Sequence, residues 1–232
     1  MTNDRTTSLG RPDGLIFDLD GTLVDTVQAR IDGWVEVLRD EGFEFSAAQV
    51  GPKIGMDGKR LAREVAAANG ARLDDTAAER IDRAAGDAFD RRNAAPRTLP
   101  GLASVLRVIR DLGLPWVIAT SSRKAQVAVS VAALGLPEEP AIVDGSHVEH
   151  AKPAPDLLLL AAERLGLPPE RCWAIGDSTW DIRAAVAAGM AGIGVAAGSA
   201  VGEAELLDAG AARVLSSLGE LAQLLRDLSR GH

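Results

Sequence analysis

Short apolar runs alternate with helical patterns along most of this chain, and that alternation constrains the fold more than any other feature. GLIFDLDG (14–21), PWVIATSS (115–122), EPAIVDG (139–145), RCWAIGDS (171–178), AGIGVAAG (191–198) and ARVLSS (212–217) each read as a buried strand running into a loop. Between them lie GLASVLRVIRDLG (101–113), RKAQVAVSVAALG (123–135), APDLLLLAAERLG (154–166), TWDIRAAVAAG (179–189) and LGELAQLLRDLSR (218–230). These carry helical spacing, and Gly or Pro closes most of them. Strands that are apolar throughout and joined by helices predict an α/β fold, a parallel sheet with helices on both faces. Residues 1–12 are polar and are expected to be loose.

The stretch 27–96 breaks the alternation. VQARIDGWVEVLRDEGF, GKRLAREVAAANG and DDTAAERIDRAAGDAFDRRN all have helical periodicity, with no convincing strand among them, and LPG (99–101) marks the return of the alternating pattern. An all-helical insertion between the first and second strands is therefore expected. It divides the chain into a core, 1–26 with 97–232, and an inserted unit, 27–96. The 232 residues accommodate this division, since a domain takes roughly 100–200 residues.

Composition excludes several classes. With 47% hydrophobic and 25% charged residues the chain can bury enough surface to fold. A net charge of -8 gives no bulk electrostatic grip on nucleic acid or on an anionic membrane. Cys172 has no partner for an internal disulfide, the first residues lack an apolar signal segment, and no apolar run is long enough to span a bilayer. The expectation is a cytoplasmic protein, a monomer or a small homo-oligomer, without nucleic-acid or membrane partners.

In an open parallel sheet, chemistry sits at the carboxyl ends of the strands. Asp18 and Asp20 follow the first run, Thr120 and Ser121 the second, and Asp177 the fourth, while Lys152 lies in the loop after the third. Asp18 and Asp20, two apart in extended backbone, project to one side. Asp177 and Asp181, four apart where strand meets helix, share a face. Four crowded carboxylates repel one another, and a hard divalent cation such as Mg²⁺ would relieve that. A lysine suits a phosphate as a point charge, and Thr120 with the backbone N–H groups of Ser121 and Ser122 adds donors for phosphate oxygens. Aspartate can itself accept a phosphoryl group. The set points to phosphoryl transfer on a small phosphorylated metabolite.

DLDGTLVDT (18–26), IATSS (118–122), AKPAPD (151–156) and GDSTWD (176–181), in this order, resemble the four motifs of the haloacid dehalogenase superfamily, specifically its phosphatase branch with a helical cap. The resemblance runs from about residue 14 to 198. It implies a Rossmann-like core with a cap at 27–96. It also implies Asp18 as nucleophile, Asp20 as general acid and then base, and Thr120, Ser121 and Lys152 as phosphoryl-binding groups. Asp18, the backbone carbonyl of Asp20, and Asp177 would hold Mg²⁺, with Asp181 supporting the metal directly or through water. Asp20 argues against the dehalogenase and phosphonatase branches, which lack an acid there. Ala151 stands where many relatives have Gly, and Gly176 where phosphosugar mutases often have an acidic residue.

Two other readings accompany the phosphatase. A phosphosugar mutase shares the core, but its cap commonly carries a His shortly after the first motif, and VQARIDGW (27–34) has none. A non-catalytic phosphate-binding module would have lost a nucleophile or acid, and none is missing. An EF-hand reading of Asp18–Gly21 fails because its Gly comes too early and Ala29 stands at the twelfth position. His147, His150 and Cys172 lack a fourth ligand spaced to close a zinc site. Trp180 reads as a packing residue that could also line the cleft. In the cap segment GPKIGMDGKR (51–60), Lys53 is the candidate to meet an anionic leaving group.

Overall fold

The computed structural model describes residues 9–122 and 124–230, with the side chain of His147 outside that description. Six parallel strands form one sheet: β1 (Gly14–Phe17), β4 (Trp116–Thr120), β5 (Ile142–Asp144), β6 (Cys172–Gly176), β7 (Ala191–Val195) and β8 (Arg213–Leu215). Their spatial order is β5-β4-β1-β6-β7-β8. The fold is α/β, as the alternation predicts, and Rossmann-like, as the resemblance implies. Each strand is shorter than its run, because the last residues of every run already belong to the loop or turn that follows.

Residue parity sorts β1 between two layers. Leu15 and Phe17 face a core shared with Val105, Val108, Ile109, Leu221 and Leu225. These come from α5 (Leu102–Leu112) and α10 (Leu218–Arg230). Ile16 faces the opposite core with Leu157, Leu158, Ala161, Ala184 and Ala185, from α7 (Asp156–Leu165) and α8 (Thr179–Ala187). Phe17 adds an edge-to-face contact with Trp116, ring centroids 5.9 Å apart.

β1 lies between β4 and β6, with Leu15 beside both Trp116 and Trp173. The chain leaves β1 for β4 and β5 on one side, then returns to β6 on the other. This reversal opens a crevice at the carboxyl end of β1, where Asp18 follows directly.

Residues 27–96 contain α1 (Val27–Asp40), α2 (Ala47–Val50), α3 (Gly58–Ala68) and α4 (Asp75–Arg92). Val27, Ile31, Trp34, Leu38, Leu61, Val65, Ile81 and Ala88 share a cluster of their own. Asp57 and Asp74 cap α3 and α4 by accepting from the backbone N–H groups of Arg60 and Ala77 at 2.9 and 2.7 Å. Surface pairs such as Arg80–Glu41 add little beside this burial. Two strands have no counterpart in the sequence reading: β2 (Val24–Asp25) pairs antiparallel with β3 (Arg97–Thr98), clasping the two ends of this segment together. Two residues per strand are too few for periodicity to register. The short helix α9 (Glu203–Asp208) is likewise unforeseen.

Candidate active site

Asp18, Asp20, Thr120, Ser121, Lys152, Asp177 and Asp181 all line one cleft above the carboxyl edge of the sheet. Lys152 is the electrostatic centre of this group. It is 3% exposed. Its Nζ donates to Asp18 Oδ1 and to Asp181 Oδ1, both at 2.6 Å, and to the Ala119 carbonyl at 3.2 Å. Three donors on an ammonium are thus all satisfied.

Asp181 is fixed from its other side by the start of α8. Its Oδ2 accepts from the N–H and hydroxyl of Ser178 at 3.0 and 2.5 Å, while Ser178 Oγ caps the Asp181 N–H. Asp177 is held by the Thr22 hydroxyl at 2.9 Å. Gly21 makes this approach possible: its φ is +87°, and a β-carbon there would collide with the Asp177 carboxylate.

Asp18, Asp177 and Asp181 each offer an oxygen, and the three lie within 4.8 Å of one another. Burial, partly opposed by Lys152 and reinforced by Asp181, pushes Asp18 up to about 7. Burial, then Asp181 and Asp18, raises Asp177 well above the ordinary carboxylate range. Three oxygen donors crowded around one ammonium retain excess negative charge, which fits a hard divalent cation. The sign of the pH effect follows. Between 3.8 and about 7 the folded chain keeps protons on Asp18 that the unfolded chain has released. The resulting stability is complete below 3.8 and is lost as pH rises through about 7. In excess chelator, thermal unfolding should therefore come at a higher temperature near pH ~5 than near pH ~8, and added Mg²⁺ should recover more at the higher pH. Equal midpoints with and without metal at both pH values would contradict this arrangement.

Asp20 belongs to a separate, hydroxyl-rich network. Its Oδ1 accepts from Thr26 Oγ1 at 3.0 Å and from Ser130 Oγ at 3.4 Å. Its Oδ2 accepts from Arg30 Nη2 at 3.3 Å and, closely, from Ser122 Oγ. Thr120 is buried, and its Oγ1 accepts from the Ser122 N–H at 3.1 Å. Ser121 is exposed at the mouth.

The family model of haloacid dehalogenase-like hydrolases matches residues 12–189, a span that carries every one of these groups. The chain belongs to the haloacid dehalogenase-like hydrolases. It is 34% identical over 183 residues to the fructose-1-phosphate phosphatase YqaB of Escherichia coli (strain K12), covering 78% of this chain and 95% of that enzyme. It is 32% identical over 221 residues to the phosphoglycolate phosphatase of the same organism, covering 82% and 84%. Among solved structures, a hydrolase from Pseudomonas syringae superposes with a TM-score of 0.86 at 33% identity, covering 92% of this chain and 98% of that one.

Several groups in the cleft of this haloacid dehalogenase-like hydrolase lie outside the sequence reading. Arg30 is the main one. It reaches from α1 to Asp20 and to Ser122 Oγ at 3.1 Å, with its guanidinium 3.9 Å from the Phe89 ring centroid. The signal available was its place one helical turn after Thr26 and one before Trp34, on a face that looks back toward the first motif. Lys53 does line the cleft, but its ammonium is paired with Glu64 at 2.5 Å, and Glu64 also takes Arg60. Trp180 packs among the α1–α4 residues and does not line the cleft. His150 is exposed and paired with Asp156, and Cys172 is buried in the sheet. No helix among the described residues is long and apolar enough to cross a membrane.

Proposed function

We propose that this chain is a Mg²⁺-dependent phosphatase that hydrolyses a small phosphate monoester through a phosphoryl group carried on Asp18. The carrying observation is the division of the carboxylates. Asp18 sits with Lys152 and the acidic cluster, while Asp20 is held apart by hydroxyls and Arg30 in the same cleft. One environment suits a nucleophile beside phosphate-binding charge; the other suits a group that exchanges protons.

The residue steps follow. Asp18 attacks phosphorus as the bond from phosphorus to the leaving oxygen breaks. Lys152 and Thr120 hold the phosphoryl oxygens, and Asp20 gives its proton to the departing oxygen. Asp20 then takes a proton from a water that attacks the same phosphorus, releasing phosphate and restoring the Asp18 carboxylate. Asp18, Asp177, Asp181 and the backbone carbonyl of Asp20 would hold Mg²⁺, which supplies charge neutralisation to carboxylate and phosphoryl oxygens.

Residues 27–96 serve in this reading as a cap that excludes water and reads the leaving group. Arg30, Trp34, Lys53, Met56 and Asp82 form the wall opposite the sheet. A cleft volume of about 170 Å³ favours a small soluble metabolite over a polymer. The names of the relatives support a phosphorylated metabolite as substrate class.

Phosphate release from p-nitrophenyl phosphate and from a panel of phosphorylated metabolites tests the proposal. Turnover should vanish in chelator and return with Mg²⁺. Full activity in excess EDTA would overturn the metal assignment; no release from any ester would overturn the phosphatase reading. The role of Asp20 has its own test. Asp20→Asn should slow alkyl phosphates far more than aryl phosphates, because an aryl oxide leaves with little protonation. A phosphorylated enzyme should accumulate from the aryl substrate. Equal losses on both, with no accumulation, would contradict the acid/base role.

A further inference from the structure

The helix α6 (Lys124–Ala133) carries its polarity inside out. Its uncharged polar side chains face inward: Gln126 and Ser130 are buried, and they donate to the Gly86 carbonyl and to Asp20, each at 3.4 Å. Its outer face is apolar. Ala125, Ala128, Val129 and Ala132 are exposed, Val129 at 42%. Their spacing of three and four residues makes one stripe along the helix. Helix α5 has the ordinary arrangement, with Arg107, Arg110 and Asp111 in solvent. No charged residue occurs from Ala125 to Pro137, so nothing interrupts the α6 stripe. A water-facing helix ordinarily turns its polar side outward, and an apolar outer face marks a contact surface.

Apolar relief widens the stripe on both sides. One groove is lined by Ala94, Ala95 and Pro96, from the end of the inserted segment, together with Ala128 and Ala132. A second groove lies between α6 and the edge strand β5, floored by Val131, Leu136 and Ile142. Charge is confined to the two ends of this second groove. Lys124 stands at the start of α6, and Glu138 and Glu139 follow the turn at its far end. All three are exposed, and none makes an ion pair among the described residues.

We propose that this face pairs two copies of the chain, α6 against α6, antiparallel about a twofold axis. The end charges select both the occupant and its direction. Antiparallel pairing sets Lys124 of each copy against Glu138 and Glu139 of the other, so both ends of the contact join opposite charges. Parallel pairing would set lysine on lysine and glutamates on glutamates. Small side chains let the two helix axes approach closely, and Val129 of each copy enters a groove of the other. A stable interface takes roughly 800 Å² from each side. One short helix face offers less than that, and the two grooves supply the remainder. Glu138 and Glu139 beside the stripe, with a net charge of -8, disfavour an anionic lipid surface as the occupant.

Sedimentation velocity of the full chain over a concentration series tests the pairing. Wild type should sediment as a dimer in the micromolar range. Val129→Glu places two carboxylates near the axis and should raise the dimer dissociation constant by at least about 100-fold. Its far-UV circular dichroism should not change, since the position is exposed in the single chain. If that variant fails to fold, Ala132→Arg probes the same stripe and should have the same effect. Lys124→Glu should weaken the dimer roughly tenfold, the scale of two rim ion pairs turned repulsive. A chain carrying Glu138→Lys and Glu139→Lys should weaken it likewise. An equimolar mixture of these last two chains should recover wild-type affinity as a mixed dimer, because every end contact again joins opposite charges. A wild type that stays monomeric throughout would overturn the proposal and leave the stripe to a different protein. So would a dimer that survives both Val129→Glu and Ala132→Arg, which would place the contact on another face. A dimer indifferent to Lys124→Glu, or a mixture that fails to recover, would overturn the antiparallel pairing.

Discussion

Asp18→Asn should abolish turnover, with a loss on the order of 10⁴-fold or more in kcat, while the protein stays folded. The amide is nearly isosteric, so the contacts of β1 with β4 and β6 are untouched, but it is a far weaker nucleophile. Stability gives this prediction a second edge. Burial holds the Asp18 carboxyl up to about 7, so its charge is a cost to the metal-free fold above that pH. A neutral amide removes the cost. In chelator near pH ~8 the variant should therefore unfold at or above the wild-type temperature. Initial rates with p-nitrophenyl phosphate and a thermal melt together check both halves. Activity within tenfold of wild type would contradict the nucleophile assignment.

Lys152→Met should cost both activity and stability, and the two costs should separate with pH. The ammonium is the counter-ion of Asp18 and Asp181 in a site where it is 3% exposed. Removing one partner of a buried ionic group leaves uncompensated charge, typically worth about 3–5 kcal/mol. Asp18 can escape part of that cost by taking a proton, so the loss of stability in chelator should be smaller near pH ~5 than near pH ~8. Mg²⁺ should restore part of it by supplying positive charge to the same carboxylates. Lys152→Arg should not rescue turnover, since a wider planar group does not fit three acceptors arranged around one ammonium. Denaturant midpoints at the two pH values, with and without Mg²⁺, measure the effect. A pH-independent loss unmoved by metal would mean that Lys152 contributes packing rather than charge.

The residues that line the cleft were largely legible in the sequence because they sit in local motifs. Asp18 and Asp20 leave a strand together, and Asp177 and Asp181 span a strand-to-helix junction, so two short words place four carboxylates. The alternation of apolar runs with helical patterns brought the words to one edge of one sheet. What was illegible depends on long-range contact. Arg30 meets Ser122 across the cleft, and nothing near residue 30 announces that partner. Glu64 neutralises Lys53 from the next helix, so the lysine singled out by its Gly-rich loop proves to be paired. Trp180 looked like a packing residue, which it is, but the sequence does not tell that it packs into the α1–α4 cluster from α8. The β2–β3 clasp was invisible because two residues per strand carry no period.

The central claim is that Asp18 carries the phosphoryl group. Borohydride reduces an acyl phosphate on aspartate to homoserine and leaves free carboxylates alone. Asp20→Asn, turning over an aryl phosphate in Mg²⁺ and quenched into borohydride, should yield homoserine at position 18 on peptide mapping, with none in an unreacted control. Substrate consumption with an unmodified Asp18, or homoserine at another carboxylate instead, would contradict the account.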